Sequence, residues 1–404
     1  MKNNLKQRVE HALAVLKQGG LVIVTDDDQR EAEGDMIGLA QYATQQSVNT
    51  MVSKARGLLC VPMAPAVAQR LGLHPMVADA TDAFGTAFTV STDAKTTTTG
   101  ISAVDRADTI SQLADPQAES GDFYHPGHVF PLIAAAEGTL GRSGHTEAAV
   151  DLAKLAGAQP VAYICEILKK DGTMARREEL KPFAEGVQMP LLSIQDIKNY
   201  RYMCDPTVVQ AIAKVALPTK YGEFMLEAFT TPGESEPTLL LSYGEIKPQT
   251  PLLLRIHSEC LTGDVFGSKR CDCGAQLAKA MQTIAAAGQG AVLYLRQEGR
   301  GIGLANKLRA YRLQEQGFDT VEANIHLGFA PDQRQYGLVA AILGQKQIDT
   351  VDLLTNNPDK IAQLEALGIT VRTRQPLEVP VQPEDQQYLV TKKHKLHHLL
   401  KEVD

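Results

Sequence analysis

Gln276–Leu295 reads QLAKAMQTIAAAGQGAVLYL, and its reading decides the fold of the second half of the chain. Leu277, Ala280, Met281 and Ile284 recur at helical spacing, Gly288 and Gly290 stop that helix, and AVLYL follows as a strand. The alternation continues outward. Leu304, Leu308 and Tyr311 mark a second helix ended by Gly317, DTVEAN (319–324) reads as a strand, and VDLLTNN as another. A helix over 361–367, with Gly368 behind it, then leads into ITVRT. This order predicts a largely parallel sheet with ligands at the strand ends. The first half mixes its signals. Leu5, Val9, Ala12, Leu13 and Leu16 mark a helix ended by Gly19-Gly20, and the strand Leu21–Val24 delivers Asp26-Asp27-Asp28 to its end. Short strands such as Val161–Ile164 alternate with polar loops. The expected class is α/β, with a mixed α+β first half. At 404 residues the chain is long enough for two domains. They are expected at 1–200 and 208–404, with 201–207 as a linker where NYRYMCDP (199–206) breaks the periodicity.

Composition is that of a globular protein, 44% apolar and 22% charged, and a net charge of −7 argues against general nucleic-acid binding. No apolar run approaches a membrane span and no signal-type core follows Lys2, Lys6 and Arg8, so the cytoplasm is expected. Of six cysteines, Cys60, Cys165 and Cys204 read as ordinary thiols. Cys260, Cys271 and Cys273, within SECLTGDVFGSKRCDCGAQL, suit zinc. Two arrangements are open: a closed structural site completed by His257, or a catalytic site that keeps the fourth position for water.

Other segments bear chemistry. DDDQREAEGD (26–35) packs Glu31, Glu33 and Asp35 beside Arg30, and such crowding calls for a cation. GRSGHTEAAVDL (141–152) sets Arg142, Ser143-Gly144, His145, Thr146 and Glu147 at a helix start, a phosphate cradle whose His145 can share a metal with Glu31. HPGHVFP supplies His125 and His128, and YICEILKKDGTMAR supplies Glu166. In the second half, RIHSE (255–259), Gln276 and the glycine-rich EGRGIGLANK (298–307) suit an anion near a helix start. LGFAPDQRQYG adds Asp332 and Arg334, and LLTNNPDK adds Thr355 and Lys360. The basic tail Lys392–His398 reads as a solvated end.

Over about residues 5–200, QREAEGD, TTTTGISAVDRADTI, PGHVFPL, RSGHTEA and CEILKKDGTMAR occur in the order of 3,4-dihydroxy-2-butanone 4-phosphate synthase, which this half resembles. The resemblance implies conversion of ribulose 5-phosphate to dihydroxybutanone phosphate and formate. Glu31 and His145 would hold magnesium or manganese, and Arg30, Glu31, Asp35, Arg142, Ser143, Gly144, His145, Thr146 and Glu166 the substrate. His128 and Glu166 would transfer protons. Ala32, Val104, His125 and Ile133 depart from the family pattern.

Over about residues 208–400, RIHSECLTGDVFGSKRCDCGAQL, LRQEGRGIGLANKLRAYRLQEQGFDTVEAN, LGFAPDQR and LLTNNPDK resemble GTP cyclohydrolase II. The implied set is one catalytic zinc on Cys260, Cys271 and Cys273, with magnesium on the GTP phosphates. Arg255, Ile256, His257, Ser258, Glu259, Gln276, Glu298, Gly299, Arg300, Thr320, Thr355 and Lys360 would contact GTP. As a free carboxylate, Glu298 is also expected to accept from the guanine edge. Asp332 would be the proton acceptor, Arg334 the nucleophile and Tyr311 an active-site hydroxyl. Because arginine holds its proton above pH 12, a phosphate clamp is an equal reading for Arg334. Together the halves resemble the bifunctional riboflavin-biosynthesis family, acting on two small phosphorylated substrates as a homodimer. The alternatives are a GTP cyclohydrolase II with a degenerate first half, and a zinc-stapled binding protein.

Overall fold

The computed structural model describes residues 5–26, 30–401 and 403, and the chain divides into two units, up to Tyr200 and from Arg201 onward. Asp27 and Asp28 of the acidic run lie outside the described residues.

In the first unit the helix Leu5–Lys17 buries the five apolar residues that mark it. Seven strands follow: β1 (Val22–Thr25), β2 (Gly34–Leu39), β3 (Cys60–Met63), β4 (Thr92–Ala94), β5 (Phe123–Ile133), β6 (Ala162–Glu166) and β7 (Leu191–Ser193). They form one mixed sheet in the order β4-β5-β3-β6-β2-β1-β7. Register places the chemistry. β1 runs antiparallel to β2, setting Val24 opposite Asp35, and β2 runs antiparallel to β6, setting Asp35 opposite Glu166. The end of β1, the start of β2 and the end of β6 therefore meet at one rim, carrying Asp26, Asp35 and Glu166. Helix His145–Leu155, buried on most positions, packs against the same sheet.

The second unit also holds seven strands: β8 (Gln210–Thr219), β9 (Gly222–Thr230), β10 (Thr238–Tyr243), β11 (Leu252–Ser258), β12 (Gly290–Leu295), β13 (Thr350–Leu354) and β14 (Thr370–Gln375), ordered β14-β13-β11-β12-β10-β9-β8. β14, β13, β11 and β12 are parallel, and an antiparallel meander of β10, β9 and β8 extends them. Helix Cys273–Ala287 seals one face with Ala280, Met281 and Ile284 against Val292 and Leu354, and Gly288, with φ of 74°, ends it in a left-handed turn. The carboxyl ends of β11, β12 and β13 open together onto the segments that carry the cysteines, Glu298–Arg300 and Thr355.

Two expectations change. DTVEAN is not a strand: Thr320–His326 is helical, because Asp319 accepts hydrogen bonds from the Val321 and Glu322 amides while Glu322 accepts from the Asp319 amide. That reciprocal cap outweighs the β-branched pair Thr320-Val321. Nor does NYRYMCDP break the periodicity at its start, since the helix Ile194–Cys204 runs through it and ends before Pro206. No helix of the described residues is long and apolar enough to cross a membrane.

Candidate active sites

At the rim of the first sheet, oxygens of Asp26 and Glu31 and a ring nitrogen of His145 lie within 4.8 Å of one another. Arg30 reaches both carboxylates, at 3.0 Å from Asp26 and 2.6 Å from Glu31. Asp26 also accepts the Glu33 amide at 2.8 Å, which folds the acidic loop back on itself. His145 opens its helix and is buried, and its Nε2 has no partner. Burial lowers its pKa to about 4, so the imidazole is a neutral donor at physiological pH. Burial, then Glu166 and Glu31, push Asp35 well above the carboxylate range. Crowded carboxylates beside a neutral imidazole whose Nε2 has no partner fit a hard divalent cation.

The neighbouring groups are engaged. Arg142 pairs with Glu147 at 2.6 Å and donates to the Phe84 carbonyl at 2.8 Å, and Ser143 accepts from Lys198. Thr146 is buried on the first turn beside His145. Glu166 accepts the Leu58 amide at 2.8 Å. His128 stands apart from the cation ligands. Its Nδ1 and backbone amide both meet Asp93, at 2.7 and 2.9 Å, and no hydrogen bond among the described residues joins it to Asp26, Glu31 or His145.

In the second unit the three sulfurs of Cys260, Cys271 and Cys273 lie within 4.8 Å of one another, with Cys260 and Cys271 3.6 Å apart. Thiolates around a tetrahedral zinc, each about 2.3 Å from it, stand roughly 3.8 Å apart, so the cluster fits that ion. His257 does not close the set: its Nε2 lies 3.1 Å from Asp264 and its ring stacks on Tyr294. Among the described residues the cluster gathers three thiols without His257, the arrangement that suits an open zinc site.

The same pocket is lined by Arg255, Arg300, Arg334, Lys360 and Lys392. Arg334 is forked onto Asp332, its Nε 2.8 and 3.1 Å from the two oxygens. Although burial opposes it, Tyr336 and Asp332 raise the Arg334 pKa above its ordinary value. Arg255 donates to Gln276 and the Leu354 carbonyl, and Lys360 to the Ile256 carbonyl at 2.7 Å. Both terminal nitrogens of Arg300 are buried without a partner. Among the described residues Arg255, Arg300 and Lys360 have no carboxylate in ion-pair range, and burial followed by Arg255 and Arg334 depresses the Lys360 pKa strongly. Such uncompensated charge calls for a polyanion. Gly299 and Arg300, with φ of 63° and 64°, form a tandem left-handed turn that brings backbone close to the pocket.

The remaining expected residues sort by contact. Ser258, Thr320 and Thr355 line the pocket, Tyr311 sets its hydroxyl 3.1 Å from Thr262, and Glu259 pairs with Arg296. The Ile256 side chain belongs to the core, so only its backbone is available. Glu298 differs from expectation. Its two oxygens take Lys307 at 2.7 Å and the Leu261 and Gly299 amides, which ties the glycine turn to the cysteine loop rather than presenting a free acceptor to a base.

Sequence reading missed several residues. Asp26, at the end of β1, joins Glu31 and His145 as a candidate cation ligand, and Asp93 has no local signature. Lys307 has one, since it lies four residues before Tyr311 and so shares its helix face. The tail is not a solvated end: Lys392 is buried against Asp272 at 2.5 Å, and Tyr388, Lys392 and His398 line the pocket.

One unit gathers carboxylates and a histidine for a hard cation, and the other sets a thiol cluster beneath unpaired cations. Together they define a two-domain, metal-binding enzyme for phosphorylated substrates. The family model of 3,4-dihydroxy-2-butanone 4-phosphate synthase matches residues 10–200 and that of GTP cyclohydrolase II matches residues 210–376. A riboflavin biosynthesis protein RibBA of Bacillus cereus is 52% identical over 97% of this chain and 99% of its own length. One from Bacillus velezensis is 51% identical over 97% and 98%. Among solved structures, RibBX of A. baumannii, a two-domain 3,4-dihydroxy-2-butanone 4-phosphate synthase, superposes with a TM-score of 0.68 at 30% identity, covering 92% of this chain and all of that one. The chain belongs to the bifunctional riboflavin-biosynthesis family, with a lyase and a hydrolase domain. With both domains present, the bifunctional reading holds over a cyclohydrolase with a degenerate first half.

Proposed function

We propose that the first unit converts ribulose 5-phosphate to 3,4-dihydroxy-2-butanone 4-phosphate and formate. The second hydrolyses GTP to 2,5-diamino-6-ribosylamino-pyrimidinone 5'-phosphate, formate and pyrophosphate. The observation that carries the second assignment is one pocket lined by three thiols and by Arg255, Arg300 and Lys360, none of which has a carboxylate in ion-pair range among the described residues.

In the first unit Glu31 and His145, with Asp26, would hold magnesium or manganese, and that ion would polarise the sugar oxygens. Arg30 orients Glu31. Arg142, through Glu147, fixes the start of the helix whose first-turn amides, with Thr146, suit the phosphate. Glu166 and His128 move protons, and Asp93 holds His128 with Nδ1 as donor and Nε2 as the working nitrogen.

In the second unit Cys260, Cys271 and Cys273 would hold one zinc, which supplies Lewis acidity for opening the imidazole ring at C8. Arg255, Arg300 and Lys360 bind the triphosphate, whose magnesium would shield the leaving pyrophosphate. Arg334 clamps the α-phosphate, because a guanidinium forked on Asp332 is stabilised as the cation. Thr320 and Gln276 position the nucleoside, and Tyr311 is a hydroxyl donor at the thiol end. The enzyme works in the cytoplasm as a homodimer. A partner would cover edge strand β8, where Ile212 and Val215 are exposed.

A paired formate assay tests the scheme. With GTP, Cys271→Ser is expected to abolish turnover and bound zinc while ribulose 5-phosphate turnover persists. Glu31→Ala is expected to do the reverse. Joint loss in either folded variant would refute the assignment of one reaction to each unit.

A further inference from the structure

The tail beyond Pro376 lies past the residues matched by the cyclohydrolase model, yet it folds onto the second-unit pocket. Helix Gln386–His394 brings Lys392 to Asp272, between two of the cysteines, and both side chains are nearly inaccessible. Asp272 also accepts from Gln276 at 2.6 Å, and Gln276 accepts from Arg255 at 2.8 Å, so the tail is wired to the anion-binding arginine. Arg300 stacks over the Tyr388 ring at 5.8 Å and Lys392 over the same ring at 4.6 Å. Further along, the Leu399 amide donates to the Asn356 carbonyl at 2.8 Å, fixing the chain just after His398. His398 lines the pocket, and besides burial its charged neighbours are Lys392, Arg334, Arg300 and Lys360.

Resting on the guanine-nucleotide reading, we propose that residues 386–399 form a wall of the nucleotide pocket, latched by Lys392–Asp272, and that His398 contacts the polyphosphate. A buried ion pair is a poor source of net stability but a good fixer of geometry, and its burial here matches a latch. An imidazole surrounded by four cations is ill placed as a base or a metal ligand. It is well placed to donate hydrogen bonds once an anion offsets those charges.

The test uses the full-length, zinc-loaded protein and calorimetric binding of a non-hydrolysable guanosine triphosphate analogue and of guanosine monophosphate. His398→Ala is expected to weaken the triphosphate analogue about tenfold or more, the scale of a hydrogen bond to a charged group, and the monophosphate less than about twofold. Lys392→Met is expected to weaken the triphosphate analogue too, and to expose the tail to limited proteolysis that the wild type resists. Retained zinc and ribulose 5-phosphate turnover serve as folding controls. Wild-type affinity for the triphosphate analogue in His398→Ala would overturn the contact, as would equal losses on both ligands. An unchanged cleavage pattern in Lys392→Met would overturn the latch. If the wild type bound neither nucleotide, the guanine-nucleotide reading would fall first and this inference with it.

Discussion

The Lys307 ammonium stands 3.1 Å from the Cys260 sulfur and 2.7 Å from Glu298 Oε1. Although burial opposes it, Glu298 and Cys260 hold the ammonium above its ordinary pKa, so the cation is permanent. S–H groups of Cys271 and Cys273, and then Lys307, lower the Cys260 pKa and favour its thiolate. If the three sulfurs held zinc as thiolates they would make it a weak Lewis acid, and a cation hydrogen-bonded to Cys260 would withdraw charge from the set. Lys307→Met is expected to lower GTP turnover by about ten- to a hundredfold with zinc still bound. In the cobalt-substituted protein the sulfur-to-metal charge-transfer band should move, and Lys307→Arg should recover part of both effects. An unmoved band together with normal turnover would leave Lys307 a packing residue.

His128 and Asp93 make a second such pair, on β5 and β4. With Nδ1 bonded to a carboxylate, the ring keeps one tautomer and leaves Nε2 free as base. Asp93→Asn is expected to reduce kcat for ribulose 5-phosphate at least tenfold, the low end of general acid–base effects, while KM and magnesium affinity hold. A raised KM at constant kcat would point to substrate positioning instead.

Ala32 adopts φ of 54°, the left-handed region, within the loop that carries Glu31 and Glu33. Alanine is disfavoured there by about 1 kcal/mol, while asparagine visits the region readily. Ala32 in this turn is thus a local destabilisation. Ala32→Asn is expected to raise the thermal midpoint of the first unit by roughly 2–4 °C, and Ala32→Val to lower it, read by scanning calorimetry. A midpoint unmoved by both would mean the turn carries no strain.

Much of this architecture was legible because its signals are local. The helix at Leu277–Ile284 and strand AVLYL follow from apolar spacing and two glycines, and the thiol cluster from the cysteines themselves. DTVEAN went wrong for a local reason as well, since Asp319 and Glu322 cap a helix that residue preferences alone read as a strand. Asp93 and the tail are different. The bond from Asp93 to His128 spans 35 positions and the Lys392–Asp272 pair spans 120, and neither follows from local spacing. A run such as KKHKLHH looks solvated until the fold supplies a buried aspartate for one of its lysines.

Arg334 offers the sharpest test, because its two readings demand opposite protonation states. A nucleophile must lose its proton, which at pH 7 costs at least roughly 7 kcal/mol for an ordinary arginine. The fork on Asp332 stabilises the cation and adds to that cost, so the geometry favours a clamp. A clamp works through two parallel N–H donors, which lysine lacks. Arg334→Ala is therefore expected to slow pyrophosphate release at least about a hundredfold, and Arg334→Lys to recover little of it. Zinc content should stay unchanged in both, since the side-chain hydrogen bonds of Arg334 go to Asp332 and not to the cysteines, and formate release can outlast pyrophosphate release. Quenched single-turnover reactions with GTP labelled at the α-phosphate separate the readings directly. No label should remain on the wild-type protein at any quench time, whereas protein-bound label that forms and decays with turnover would establish the nucleophile.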